Sequence, residues 1–101
     1  MPTLTPPQDC NSMQELRVQI DKLDRQLVEM LVTRVGYIDR ASELKPGEGL
    51  PARIPGRVEE VVQKVRAGSH EAGMDPELAE RLWRILIDWS IAREERVLGP
   101  E

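Results

Sequence analysis

From Met13 onward, apolar positions return at alternating spacings of four and three: Leu16, Ile20, Leu23, Leu27 and Met30, then Arg34, then Tyr37, Ala41 and Leu44. This is a heptad stripe sustained over about eight turns, and it predicts one long helix from Met13 to Lys45. Ser12 followed by Glu15 forms an S-x-x-E capping box at its start. Pro46-Gly47 reads as its stop. Gly36 inside the stripe costs about 1 kcal/mol relative to Ala, too little to break the helix. A second helix is expected from about Pro55 to Ala67, with Val58, Val61, Val62 and Val65 on one face and Gly68 ending it. A third starts with Asp75 as N-cap, Pro76 in the first position and Glu77 in the first turn. Its stripe is Leu78, Leu82, Ile85, Trp89 and Ala92, ending near Gly99-Pro100.

No stretch alternates as a strand would. The pattern therefore predicts an all-α chain of three helices: an irregular N-terminal tail over 1–12, then one helical domain over 13–98. The connection 46–56 is rich in breakers, with three prolines and three glycines between Lys45 and Arg57. Length adds a further expectation. At 1.5 Å per residue the first helix is about 50 Å long, whereas a compact chain of 100 residues has a radius of gyration near 13 Å. Two shorter helices cannot cover such a rod, so its stripe is expected to meet a second copy in an intertwined homodimer.

Composition narrows the function classes. The chain has 101 residues, 40% hydrophobic and 32% charged, which suits one globular helical domain. Aromatics are 3% with no Phe, so a core must come from aliphatic side chains. The net charge of −4 argues against a nucleic-acid binder. Cys10 is the single cysteine, which leaves no intrachain disulfide and no CxxC motif. There is neither a long apolar run nor a signal-peptide pattern, so a cytoplasmic protein without a membrane partner is expected. His70 sits in a turn-like stretch and is assigned no chemistry. No metal or cofactor is expected.

Within the cations, 11 are Arg and 3 are Lys. Arg presents a flat, permanently charged fork suited to carboxylates and phosphates, although a genomic base bias produces the same excess. Arg34 stands in the seam where an apolar residue would pack, and a charge there is costly unless paired. Lys45 follows eleven residues later and projects from nearly the same face. Arg17 points about 100° away, so an antiparallel partner helix would have to deliver it. Arg57 lies in the first turn of the second helix, where the dipole disfavours a cation and favours an anion beside it. Singly, Arg17 and Arg57 also fit a solvated surface, Lys45 fits a C-terminal dipole partner, and Asp21, Asp24 and Asp39 are available to pair with arginines. Together the cations suggest a pocket for a small polyanion in a helical dimer. Ser90 and Glu94 lie one turn apart beside Ile87 and Trp83. If they face that pocket, burial favours the neutral acid, which can donate a hydrogen bond.

These residues carry a resemblance. The stretch "ELRVQIDKLDRQLVEMLVTRVGYIDRASELK" resembles the first helix of the all-helical chorismate mutases, with Arg17, Leu23-Asp24, Arg34 and Lys45 at the family spacing. The likeness extends over about residues 13 to 97. "PARIPGRVEEVV" and "RLWRILIDWSIAREE" are similar to one branch, the isochorismate-pyruvate lyases of salicylate and siderophore biosynthesis. The resemblance implies a cofactor-free pericyclic rearrangement of chorismate, a small dicarboxylate, to prephenate in aromatic amino-acid biosynthesis. Arg34, with Arg17 from the second chain, would bind the carboxylates. Lys45 and Glu94 would flank the breaking ether, Arg57 and Ser90 would complete the ring, and 46–56 would close as a lid. Family mutases often place carboxylates at the positions of Ile54 and Val58 to meet the ring hydroxyl. These two apolar residues lean toward the lyase branch and isochorismate as substrate. Glu94, where the lyase and bacterial mutases commonly carry Gln, leans the other way. A catalytically silent helical dimer acting as a binding module is a third reading, with no turnover and no ligand protection of the 46–56 segment.

Overall fold

The computed structural model describes residues 3–99. A 3₁₀ turn at Pro7–Asp9 precedes three α-helices: α1 at Met13–Glu48, α2 at Pro55–Ala72 and α3 at Pro76–Leu98. No strand occurs among the described residues. The expected tail begins at Met1 and the expected end of the third helix touches Pro100; Met1, Pro2 and Pro100 lie outside the described residues. Among the described residues no helix is long and apolar enough to cross a membrane. The chain divides into two compact units, Met1–Tyr37 and Ile38–Glu101.

In the first unit, Ser12 Oγ accepts the Glu15 N–H at 3.1 Å, as a capping box requires. The return arm shifts by one residue: Glu15 Oε2 accepts from Asn11 N at 2.7 Å, not from Ser12. The tail is also more ordered than expected, since the Thr5 N–H donates to Gln19 Oε1 at 2.9 Å.

Both helix stops behind α1 and α2 need correction. α1 runs through Pro46 and Gly47 to Glu48. Proline in a last turn removes only one hydrogen bond of the ladder, so it does not have to end the helix. The stop is Gly49, at φ +68°, where Leu50 N donates to Lys45 O and Gly49 N to Pro46 O at 3.0 and 3.2 Å. α2 likewise passes Gly68 and ends at Gly73, φ +87°, with Met74 N bonded to Ser69 O and Gly73 N to His70 O. Both are Schellman caps, in which a left-handed glycine returns two donors to the last open carbonyls. His70 is therefore a residue of the last turn of α2, not of a loop, and the connection between α1 and α2 shrinks from 46–56 to 49–54.

α3 begins as expected, with Asp75 Oδ1 accepting from Glu77 N at 2.9 Å and Pro76 in the first turn. Its buried face is a different one from the predicted stripe. Ala79, Ile87, Ser90, Ile91 and Glu94 are buried, while Leu78, Leu82, Ile85 and Trp89 are exposed. Ala52, Val62, Ile87 and Ile91 form the core, with Val58, Val61, Trp83 and Leu98 packed around it. α2 and α3 thus pack on each other through a small aliphatic centre.

Candidate functional site

The Ile38–Glu101 unit holds a largely buried ion pair. Lys45, in the last turn of α1, places Nζ 2.6 Å from Glu94 Oε1 on α3. Their side chains are only 16% and 5% exposed. The Lys45 ammonium also donates to the Ala52 carbonyl at 2.8 Å. Glu94 Oε1 lies within ion-pair distance of Lys45 but accepts no aligned hydrogen bond among the described residues. The angle between the two groups, not their separation, is what falls short. A charge pair this dry is costly to form and more costly to break, because removing one partner strands the other.

Glu94 is held by its helix. One turn earlier, the buried Ser90 Oγ donates to Leu86 O at 2.7 Å, and Ile87 and Ile91 fill the same face. Beside it Arg93 makes a two-pronged contact with Asp39, Nε to Oδ1 at 2.6 Å and Nη2 to Oδ2 at 3.0 Å. The Arg93 guanidinium lies 5.6 Å from the centre of the Trp89 ring. That hydrogen bond holds the Asp39 carboxyl below its ordinary value. Asp39 was one of the acids available to the candidate arginines; its partner is Arg93, which had no assigned role.

The remaining candidates are placed as follows. Ile54 is half-buried and is the N-cap of α2, with no side-chain cap of its own. Val58, also half-buried, lines a groove of about 180 Å³ together with Arg53, Arg84, Ile87 and Asp88. Arg57 is exposed in the first turn of α2 and binds Glu60 on its own helix. The Glu60 carboxylate is the negative group that the structure places beside this cation. In the Met1–Tyr37 unit, Arg17 is exposed and Arg34 half-buried, and burial lowers the pKa of the Arg34 guanidinium. The structure therefore brings Lys45 and Glu94 together, with Ser90 one turn away.

Sequence reasoning missed the Ala52 carbonyl, Arg93, and Arg53, whose Nη2 meets Asp88 Oδ1 at 3.2 Å. A backbone acceptor leaves no mark in a sequence. Arg93 had one: it directly precedes Glu94, and Asp39 stood open as a partner.

Among the described residues the chain is all-helical, and it sets a largely covered lysine against a buried glutamate. Comparison with known proteins agrees on the family. A model of the chorismate mutase type II family matches residues 16–95. The isochorismate pyruvate lyase of Pseudomonas aeruginosa is 33% identical over 87% of this chain and 86% of its own length. The chorismate mutase of Methanocaldococcus jannaschii is 24% identical over 83% of this chain and 85% of its own. The T-protein of Haemophilus influenzae is 29% identical over 84% of this chain, which spans only 22% of that longer protein. The chain belongs to the chorismate mutase type II family.

Proposed function

We propose that this protein is a cytoplasmic, homodimeric chorismate mutase that rearranges chorismate to prephenate at two equivalent sites, each built from both copies. The observation that carries the proposal is the buried contact of Lys45 with Glu94 at 2.6 Å, in a chain of this family. The reaction breaks an ether C–O bond and forms a C–C bond within one molecule, so no group has to be transferred to the protein. What the protein has to supply is a fixed reactive conformer and donors aimed at the oxygen on which negative charge grows.

Lys45 offers N–H donors on a flexible stem. Glu94 donates only when protonated, and in the ligand-free chain it faces an ammonium instead. With 2.6 Å between Nζ and Oε1 no atom fits between them, so substrate must separate the pair before the ether oxygen meets Lys45. Arg34, and Arg17 of the second copy, would grip the two carboxylates as forks. Arg57 and Ser90 would complete the ring, with Arg57 first leaving Glu60. The segment behind α1 would cover the bound substrate and exclude water. Support for the second copy comes from the apolar positions left open on α1, among them Leu23, Leu27 and Met30.

A second reading is favoured by Ile54 and Val58. Both are apolar, so neither can accept a hydrogen bond from a ring hydroxyl of chorismate, and the similar Pseudomonas aeruginosa protein is named a lyase. On that reading the substrate is isochorismate and the products are salicylate and pyruvate. Parallel assays separate the two. Prephenate formed from chorismate at the higher kcat/KM supports the mutase, and salicylate from isochorismate supports the lyase. Turnover of neither leaves a silent binding module. Glu94→Gln sharpens the test, because an amide donates at any pH: mutase turnover at neutral pH should rise. A fall would show that the carboxylate itself is needed.

A further inference from the structure

The segment 49–54 does more than connect two helices. Ala52 at its centre is 4% exposed and belongs to the core cluster with Val62, Ile87 and Ile91. Its methyl group is thus a plug set among side chains of α2 and α3. The carbonyl of the same residue accepts the Lys45 ammonium at 2.8 Å. The packed methyl pins the Cα from which that carbonyl projects, so the oxygen cannot be displaced with the chain around it.

An ammonium has three donors on a flexible stem of four carbons. Left to itself, Lys45 samples many rotamers, and fixing them costs side-chain entropy. Here the Ala52 oxygen takes one N–H and the ion pair places Glu94 Oε1 2.6 Å away, so two N–H groups are left to turn toward Glu94 or another acceptor. An interior backbone oxygen also suits the task chemically. It carries no proton to exchange and no net charge, so it orients Lys45 without neutralising it.

We infer that Ala52 is a positioning residue: its buried methyl fixes its carbonyl, and the carbonyl aims the Lys45 ammonium. The inference rests on the reading of Lys45 as the group that meets the substrate ether, and it sharpens that reading. The segment is then not a free flap over its whole length. Gly49, at φ +68°, can hinge on one side, while Ala52 stays anchored in the core.

The test compares Ala52→Gly and Ala52→Val with Val62→Ala. The first two act on the plug, one by removing it and one by overfilling its site. Val62→Ala weakens the same core, in which Val62 is fully buried, without altering residue 52. Two quantities are measured on the full chain: hydrogen exchange of the Lys45 ammonium by nitrogen-15 NMR, and kcat with KM on the substrate that the parallel assays select. Both Ala52 variants should exchange the Lys45 protons several-fold faster and lose about tenfold in kcat, in keeping with the sensitivity of catalysis to small misplacements, with KM little changed. Val62→Ala should lower the melting temperature and leave both quantities near wild type. Unchanged ammonium exchange in the Ala52 variants overturns the inference whatever the activity, and so does an equal increase in Val62→Ala. The exchange measurement needs no turnover, so failure of the proposed reaction and failure of this role are told apart.

Discussion

The two units of the chain solve opposite problems. In Ile38–Glu101 lie all the buried apolar residues of the described chain: Ala52, Val62, Ala79, Ile87 and Ile91. In Met1–Tyr37 the buried residue is a glutamine, Gln26, while Leu23, Leu27, Val28, Met30 and Val32 stay exposed. One unit makes its own core. The other carries apolar side chains worth about 1.5–3 kcal/mol each, a gain realised only on leaving water. The two units share one helix, α1, whose last turns serve the ion pair and whose earlier turns carry the exposed apolar residues that the proposed second copy would cover.

The strongest way to break this comparison is to charge the open face. Leu23→Asp combined with Leu27→Asp should convert the proposed dimer into monomers by light scattering. Turnover should then fall below detection, because the proposed site takes its Arg17 from the second copy. A wild-type protein that is monomeric and fully active would remove the dimer from the proposal.

Next in size is the buried pair. Lys45→Met strands the Glu94 carboxylate in the core, and loss of one partner of such a pair costs about 3–5 kcal/mol. Urea unfolding of the single and double variants measures it. Adding Glu94→Met should restore most of the stability, since two apolar side chains of similar volume need no pairing, while activity stays absent in both. If the double variant is no more stable than the single one, the pair is not the source of the loss.

Arg34 tests the unit that has little core of its own. Arg34→Ala should cost about 100-fold in kcat/KM, the scale of losing one strong charge contact in a water-excluded site. Its dimer and its melting temperature should stay near wild type. Retained turnover would reject the assignment of Arg34 to the substrate carboxylates.

Much of this architecture was legible, and what was not has physical reasons. The helices could be read because heptad spacing and caps are local: Ser12 with Glu15, and Asp75 with Pro76, need only neighbours. The stops of α1 and α2 were misread because four glycines compete, Gly47 with Gly49 and Gly68 with Gly73. The chain contained a usable signal. Gly49 and Gly73 are each followed by an apolar residue, Leu50 and Met74, as a Schellman cap prefers, whereas Gly47 and Gly68 precede Glu48 and Ser69. The face of α3 was misread for another reason. The helix has apolar residues on two faces, and spacing alone cannot say which one a chain keeps for itself. In the site, Lys45 and Glu94 were both legible as candidates, but their direct contact joins residues 49 apart in sequence, beyond any local pattern.

A slighter effect distinguishes the buried pair from the more exposed ion ladder that joins α2 to α3. Arg84 binds Glu59 on α2 at 3.0 Å and Glu80 on its own helix at 2.7 Å, and Arg66 on α2 reaches Glu77 and Glu80 at 3.0 and 2.8 Å. Hydrogen bonds from Arg84 hold the Glu59 and Glu80 carboxyls below their ordinary value of 4.5. A carboxyl whose pKa is lower folded than unfolded adds stability above its unfolded value, and that stability drains away as pH falls through the folded one. Wild-type stability should therefore hold above pH 4.5 and decline below it. Arg84→Ala should lower stability slightly at pH 7 and flatten the decline, and salt should mimic the variant, since exposed charges are screened. Unfolding in urea at pH 7 and at stepwise lower pH, with and without salt, reads both limbs. An acid limb equally steep in Arg84→Ala would move the loss to other carboxyls, beginning with Asp39, whose bond to Arg93 ties α1 to α3 beside Glu94 and would then be the acid-sensitive link.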